Sequence, residues 1–179
     1  MKVIVIGGDA AGMSAASQIK RQKPEYEVTV FERGTYISYA ACGIPYYIGG
    51  AVGRLDDLIE VSPGEAREKR KIDLRLGHRV TAIDPNARTV TVESDGKSFD
   101  ERFDRLIIAT GARPETLGMD LSLYPDVFTM NDLSDAGKIK GFIAEKKPGR
   151  IAVIGGGYIG IEAVEAFTGL GIETVLVHR

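Results

Sequence analysis

Cysteine is nearly absent: Cys42 is the only one in 179 residues. An internal disulfide is therefore excluded, and so is a Cys₄ or Cys₂His₂ zinc site. Only His78 and His178 offer imidazoles, too few for a histidine-based metal centre, so no metal is expected. Neither charge sign dominates. Lys and Arg number 23 against 25 Asp and Glu, giving a net charge of −2. The cations are scattered, which leaves no electrostatic footprint for nucleic acid. No apolar run approaches the ~20 residues that cross a bilayer, so no membrane partner is expected. The apolar start, Val3 to Ile6, is too short for a signal peptide and runs straight into Gly7-Gly8. The expected location is cytoplasmic.

Glycine is in excess: 22 of 179 residues, about 12%, against a usual ~7%. The excess is clustered. Val3-Ile4-Val5-Ile6 is a continuous β-branched run closed by Gly7-Gly8, the mark of a strand buried on both faces. A helix should follow over 11–23 and stop before Pro24. A second strand, Val28 to Glu32, ends in an acid. Ile151-Ala152-Val153-Ile154-Gly155-Gly156-Gly157-Tyr158-Ile159-Gly160 then repeats Val3–Gly12 at a constant offset of 148 residues. A helix to Leu170 and a strand over 173–177 complete the second copy. The fold class is therefore α/β, with two β-α-β units. Two parallel strands cannot bury both their faces, so the second unit is expected to be the start of a larger domain in a longer protein.

Between the repeats, 33–53 is a loop-rich stretch with aromatics, glycine and Cys42. Ser62-Pro63 opens a charged helix to about Lys71, with Pro63 in its first turn. Strands are expected over 79–84 and 88–93, joined at Pro85-Asn86, and over 106–109. Residues 112–131 read as irregular and 132–147 as an amphipathic helix. The basic run Arg67, Lys69, Arg70 and Lys71 reads as a solvated helix face, and His78 as a solvated side chain.

A glycine loop between a buried strand and a helix lets the backbone approach a pyrophosphate, with the helix N-terminus offering free N–H groups. Gly155, Gly157 and Gly160 fit G-x-G-x-x-G in that setting. The first copy departs from it, because Asp9 stands where the second glycine would be. Against that, Glu32 lies 20 residues after Gly12, the place for an acid that binds ribose hydroxyls. The second copy has His178 and Arg179 there instead. A cation suits a 2′-phosphate, which makes NADPH at least as good a candidate as NADH.

Two dinucleotide loops around one cysteine suggest an electron relay. Ser38-Tyr39-Ala40-Ala41-Cys42-Gly43-Ile44-Pro45-Tyr46 resembles the S-[FY]-x-x-C-x-x-P-Y segment of the coenzyme A-disulfide reductases. These belong to the pyridine nucleotide-disulfide oxidoreductases, together with NADH oxidases, NADH peroxidases and persulfide reductases. The resemblance runs the length of the chain. It implies a Rossmann-like FAD domain over 1–111, a connecting segment over 112–147, and over 148–179 the start of an inserted Rossmann-like NAD(P)H domain.

The resemblance also implies roles. FAD would lie at Gly7, Gly8, Ala10, Ala11 and Gly12, with Glu32 and Arg33 at its ribose. Val80 would meet the adenine through its backbone, and Ala109, Thr110 and Gly111 would close the site. NADPH or NADH would take Gly155, Gly157, Ile159, Gly160 and Arg179, with Tyr158 and Glu162 flanking the nicotinamide. Cys42 would be the redox nucleophile over the flavin, reacting as the thiolate. Relatives that use C-x₄-C have a second cysteine where Tyr47 stands. The sulfur here must therefore cycle through a mixed disulfide with an external thiol, a persulfide or a sulfenic acid. Ser14, Gln18 and Arg21 share one helix face. With Ser38 and Ala41 they fall on the family's coenzyme A-binding positions, although the family often has Asn at the position of Ala41.

The expected function is flavin-dependent reduction of a small disulfide or persulfide, coenzyme A-linked first, by a full-length homodimer. The isolated chain is not expected to turn over. An NADH oxidase is the alternative, weakened because Ala10-Ala11 offers no acid/base histidine. A non-catalytic nucleotide-binding module is the other.

Overall fold

The computed structural model describes residues 1–178. It contains two compact units, residues 1–39 with 59–112, and residues 40–58 with 113–178. The segment 40–58, which the sequence reading runs with the first domain, groups with the C-terminal part of the chain.

The first unit is built on strand β1 (Lys2–Ile6), helix α1 (Ala10–Gln22) and strand β2 (Glu27–Glu32). Strands β3 (Asp73–Leu76) and β7 (Arg105–Ile108) complete a parallel sheet in the order β3-β2-β1-β7. From Val3 to Ile6, β1 is apolar because both its faces are covered. Val3 and Val5 join Met13 and Ala16 of α1 and Val28 and Val30 of β2 in one buried cluster. Ile4 and Ile6 point the other way, into a cluster with Phe31, Val90 and Val92. The last two belong to an antiparallel sheet of β4 (Arg79–Asp84), β5 (Thr89–Ser94) and β6 (Lys97–Arg102). Each such side chain, fully buried, stabilises the fold by about 1.5–3 kcal/mol. Helix α1 ends before Pro24, and Lys20 Nζ donates to the Pro24 and Tyr26 carbonyls just beyond it. Helix α3 (Pro63–Glu68) starts at Ser62, whose hydroxyl accepts the Glu65 N–H at 3.1 Å. It ends at Glu68, short of Lys71.

Strands β3 and β6 and one helix in 33–53 are absent from the sequence reading. Two side-chain readings are corrected. The basic run is only in part a solvated face: Arg67, Lys69 and Lys71 are exposed, but Arg67 also holds the Leu74 carbonyl through Nε and Nη2 at 3.1 and 3.0 Å. Arg70 bridges Glu65 and the buried Ser17 hydroxyl at 2.9 Å each. His78 is half-buried, its ring stacked on Phe31 and edge-on to Phe99, with Nδ1 2.7 Å from the Leu76 carbonyl.

In the second unit, α2 (Ile44–Ile48) packs against α4 (Leu133–Lys146) and α5 (Tyr158–Gly169). Asp132 caps α4 by accepting the Asp135 N–H at 2.9 Å, and Lys147 ends it with a left-handed φ of 45°. Strands β8 (Arg150–Ile154) and β9 (Glu173–Val177) pair in parallel, and α5 lies against both.

Candidate functional site

The loop between β1 and α1 is shaped by contacts that tolerate no side chain. Gly7 has φ +104°, and a Cβ there would overlap the Ala109 carbonyl oxygen. A Cβ on Gly12 would overlap the Gly7 carbonyl. The Ala109-Thr110-Gly111 segment is thus tied to the loop by backbone proximity, and the Ala109 N–H donates to the Ile6 carbonyl at 2.8 Å.

The loop between β8 and α5 reproduces this geometry. Gly155 has φ +110°, and a Cβ on Gly160 would overlap the Gly155 carbonyl. Among the described residues, neither α1 nor α5 has a side-chain cap on its first turn. Both helix starts leave backbone N–H groups beside a side-chain-free loop, which is the cradle a pyrophosphate needs.

The departure at Asp9 has a physical explanation. Asp9 has φ −92° and Gly157, its counterpart, φ −77°. Both are ordinary extended values, so the fold does not demand glycine there. The Asp9 carboxylate accepts the Tyr39 N–H at 3.2 Å instead of capping α1. Burial pushes its pKa above the usual carboxylate value, opposed by the Tyr39 and Ala10 backbone hydrogen bonds and assisted by the Glu32 charge.

Glu32 sits at the end of β2. One carboxylate oxygen accepts the Gly8 N–H and the other the Gly34 N–H, both at 2.7 Å. Arg33 next to it is exposed. Val80 lies on β4, its side chain packed against the Phe31 cluster. Ala10, Ala11, Thr110 and Gly111 are exposed. Ser14, Gln18 and Arg21 are likewise exposed on α1, opposite the buried Met13, Ala16 and Ser17. Ser38 is half-buried with a left-handed φ of 41°, and its carbonyl accepts from Glu60 and Val61 at 2.8 and 3.3 Å.

In the second unit, Cys42 is exposed on a single 3₁₀ turn over Ala41–Gly43. Ala41 is exposed beside it. The turn is held firmly. The Ala40 N–H donates to the Leu58 carbonyl at 2.8 Å. Gly43 is buried so tightly that a Cβ would overlap the Leu58 side chain, and Pro45 stands in the first turn of α2. Tyr47 stands at the place of the absent second cysteine. Lys140 of α4 donates to its carbonyl at 2.7 Å and lies 3.9 Å from its ring centroid. That clamp joins residues 93 apart in sequence, and nothing in the local pattern announces it.

On α5, Tyr158 is 93% exposed, Ile159 is exposed and Glu162 half-buried. His178 follows β9, and its Nδ1 accepts the Gly156 N–H at 3.3 Å. Arg179 lies outside the described residues.

Two glycine loops of one geometry, each between a parallel strand and a helix, the first strand buried and the second partly exposed, define a protein built to hold two dinucleotides. Residues 1–179 match the family model of the pyridine nucleotide-disulphide oxidoreductases, and the chain belongs to that family. It is 36% identical over 180 residues to a coenzyme A disulfide reductase of Staphylococcus haemolyticus, covering 99% of this chain and 40% of that one. It is 40% identical over 178 residues to an NAD(P)H coenzyme A polysulfide/persulfide reductase of Pyrococcus horikoshii, covering 99% and 39%. A crystal structure of reduced Bacillus anthracis CoADR-RHD superposes with a TM-score of 0.93 at 36% identity, over 99% of this chain and 32% of that one. The chain thus spans about 40% of the length of these curated relatives.

Proposed function

We propose that this chain is the nucleotide-binding part of a flavin-dependent reductase in which Cys42 reduces a small disulfide or persulfide, with coenzyme A species first. The observation that carries the reading is the lone exposed sulfur on a fixed turn, with Tyr47 clamped by Lys140 where a resolving cysteine would stand.

FAD would fit the first loop: Gly7 and Gly12 keep side chains out of it, the uncapped start of α1 would offer N–H groups to a pyrophosphate, and Glu32 would be the acid for the ribose. NAD(P)H fits the second loop by the same geometry at Gly155 and Gly160. When bound, the flavin relays two electrons from the reduced nicotinamide. The protein's own chemistry lies at sulfur. The Cys42 thiolate attacks one sulfur of R–S–S–R, a Cys42–S–S–R bond forms, and RS⁻ leaves and takes a proton. Two electrons and a second proton then return Cys42 as thiolate and release RSH. The sum is RSSR + NAD(P)H + H⁺ → 2 RSH + NAD(P)⁺. Ser14, Gln18 and Arg21 supply a hydroxyl, an amide and a guanidinium for a nucleotide-phosphate handle on R, with Ser38 and Ala41 nearer the sulfur in sequence. A full-length homodimer in the cytoplasm belongs to the same proposal; among the described residues no helix is long and apolar enough to cross a membrane.

The test is Cys42→Ser in the full-length protein. It should keep its yellow flavin and lose NAD(P)H-dependent coenzyme A disulfide reduction. Unchanged disulfide turnover refutes the role of Cys42, and oxygen consumption without added disulfide would favour an oxidase.

A further inference from the structure

We propose that Asp9 takes up a proton from solvent when a flavin dinucleotide seats on the first loop, and that it then serves the pyrophosphate as a neutral acid, donating its O–H to a phosphate oxygen. This role rests on the reading of the β1–α1 loop as the FAD site. It belongs to the position at which that loop departs from its copy, where Gly157 stands.

Asp9 is held beside the loop at both its ends. Its carbonyl accepts the Met13 N–H at 2.9 Å, which fixes its backbone at the head of α1, where an anion is expected to seat. Its Oδ1 accepts the Tyr39 N–H at 3.2 Å. The neighbouring Ser38 N–H donates to the Gly8 carbonyl at 3.0 Å, and the Ser38 carbonyl accepts from Glu60 and Val61. Ser38 and Tyr39 are thus laced to two successive residues of the loop, and the half-buried carboxyl stays next to it.

The charge around that carboxyl has one sign. Glu32 acts on it from the end of β2. The first turn of α1 has no acidic residue, and its basic residues, Lys20 and Arg21, lie in the last turn. Ala109-Thr110-Gly111, which closes the loop, carries no acidic or basic side chain, and Tyr39 offers its backbone N–H. Among the described residues no Lys, Arg or His forms an ion pair with Asp9. Burial, with the Glu32 charge added, already favours the neutral acid, against the Tyr39 and Ala10 backbone bonds.

A pyrophosphate adds further negative charge at this place. Like charges sharing a site cannot all stay ionised cheaply. The pyrophosphate diester stays ionised through the neutral range, so the proton goes to Asp9. Oδ1 is committed to the Tyr39 N–H, which puts the proton on Oδ2. The acid is then acceptor and donor at once, and its O–H on a phosphate oxygen is a charge-assisted hydrogen bond. The second loop has glycine at this position, so the proton linkage is confined to the first dinucleotide.

The experiment titrates FAD into apoprotein prepared from the full-length protein, from pH 5 to 9, by calorimetry in buffers of different ionisation enthalpy, which counts protons. The wild type should take up a proton on binding. Its FAD affinity should fall with rising pH, by up to about tenfold per pH unit, the limit for one linked proton. Asp9→Asn keeps an acceptor for the Tyr39 N–H and an N–H donor in place of the O–H. It should bind FAD without that uptake, hold its affinity flat over the same range and match the wild type at the acid end. Infrared difference spectra should show a carboxylic-acid C=O band appearing with FAD in the wild type and missing in Asp9→Asn. A wild type that binds FAD with no proton uptake, or an uptake that persists in Asp9→Asn, overturns the proposal and leaves the FAD site standing. Failure of the wild type to bind FAD at any pH removes the FAD reading of the loop, and the proposal with it.

Discussion

Asp9 occupies the N-cap of α1, yet its carboxylate accepts the Tyr39 N–H at 3.2 Å rather than capping the helix. Burial is the largest influence on this carboxyl and raises its pKa, with Glu32 adding to it. A raised folded-state pKa means the folded protein holds the proton more tightly than the unfolded chain. The stability tied to that proton is present below the unfolded pKa and is lost as pH rises through the folded one. Asp9→Asn should therefore match the wild type in acid and gain a small margin in melting temperature at neutral pH. The margin is small because the group is partly solvated. Removing a negative charge beside the pyrophosphate should also tighten FAD several-fold. Thermal melts at pH 3 to 8 and flavin titration of the apoprotein check both expectations; a wild type that gains on the variant as pH rises reverses the sign.

Glu32→Ala should release flavin. The substitution leaves the Gly8 and Gly34 N–H groups without their carboxylate, and hydrogen bonds to charged groups are worth about 1.5–3 kcal/mol each. Dialysis followed by the 450 nm absorbance of the retained protein measures the loss. Full flavin occupancy would show that Glu32 serves the loop alone.

The glycines of the two loops should divide into two kinds. Gly12→Ala forces a Cβ onto the Gly7 carbonyl and should prevent folding of the first unit or abolish its flavin. Gly157→Ala meets nothing within 4 Å and keeps an ordinary φ. It should fold normally and weaken NAD(P)H alone, by crowding the pyrophosphate. Circular dichroism separates folding from binding, and the KM for NAD(P)H reads the second effect.

Gly43→Ala drives a methyl group into the Leu58 side chain beneath the Cys42 turn. Overpacking of this kind costs about 1–3 kcal/mol and should slow disulfide reduction by shifting the sulfur. The pair Gly43→Ala with Leu58→Ala should recover part of the rate. A double variant as slow as the single one would locate the defect elsewhere.

Lys140→Met removes the ammonium from the Tyr47 carbonyl and ring. Hydrogen bond and cation–π contact together are worth about 1–3 kcal/mol at a partly buried site. The melting temperature should fall by several degrees, with flavin content unchanged.

The parts of this fold legible in the sequence are those where local pattern and burial agree. The β-branched run Val3–Ile6 is buried on both faces, and the repeat at 148 residues reproduces its glycine geometry. Strand β3 has only four residues, two of them charged, and owes its place to pairing with β2 and to Arg75 and Asp73 satisfying each other. Strand β6 carries one apolar residue, Phe99, and no periodicity. Its signal lay in the turn before it, because Asp95-Gly96 has φ values of 50° and 73°, the pair of left-handed residues a tight hairpin needs. His78, Arg67 and Arg70 look solvated in sequence because their partners Phe31, Leu74 and Ser17 come from other elements. The candidate sites divide in the same way. The loops and the residues that end the strands after them are local and readable, whereas the Tyr47–Lys140 clamp requires helices α2 and α4 to be packed together.

The isolation of Cys42 makes the proposed cycle depend on the surrounding medium. An enzyme with a resolving cysteine closes its own disulfide at an effective concentration fixed by its fold. In the proposed cycle the partner thiol arrives by diffusion, so the fraction of Cys42 held as mixed disulfide would follow the ratio of disulfide to thiol around it. The same exposure leaves a sulfenic acid at this position to be captured by external thiol before further oxidation makes it irreversible. A cell rich in small thiols would keep such a centre in service, and a cell depleted of them would lose it one oxidation at a time.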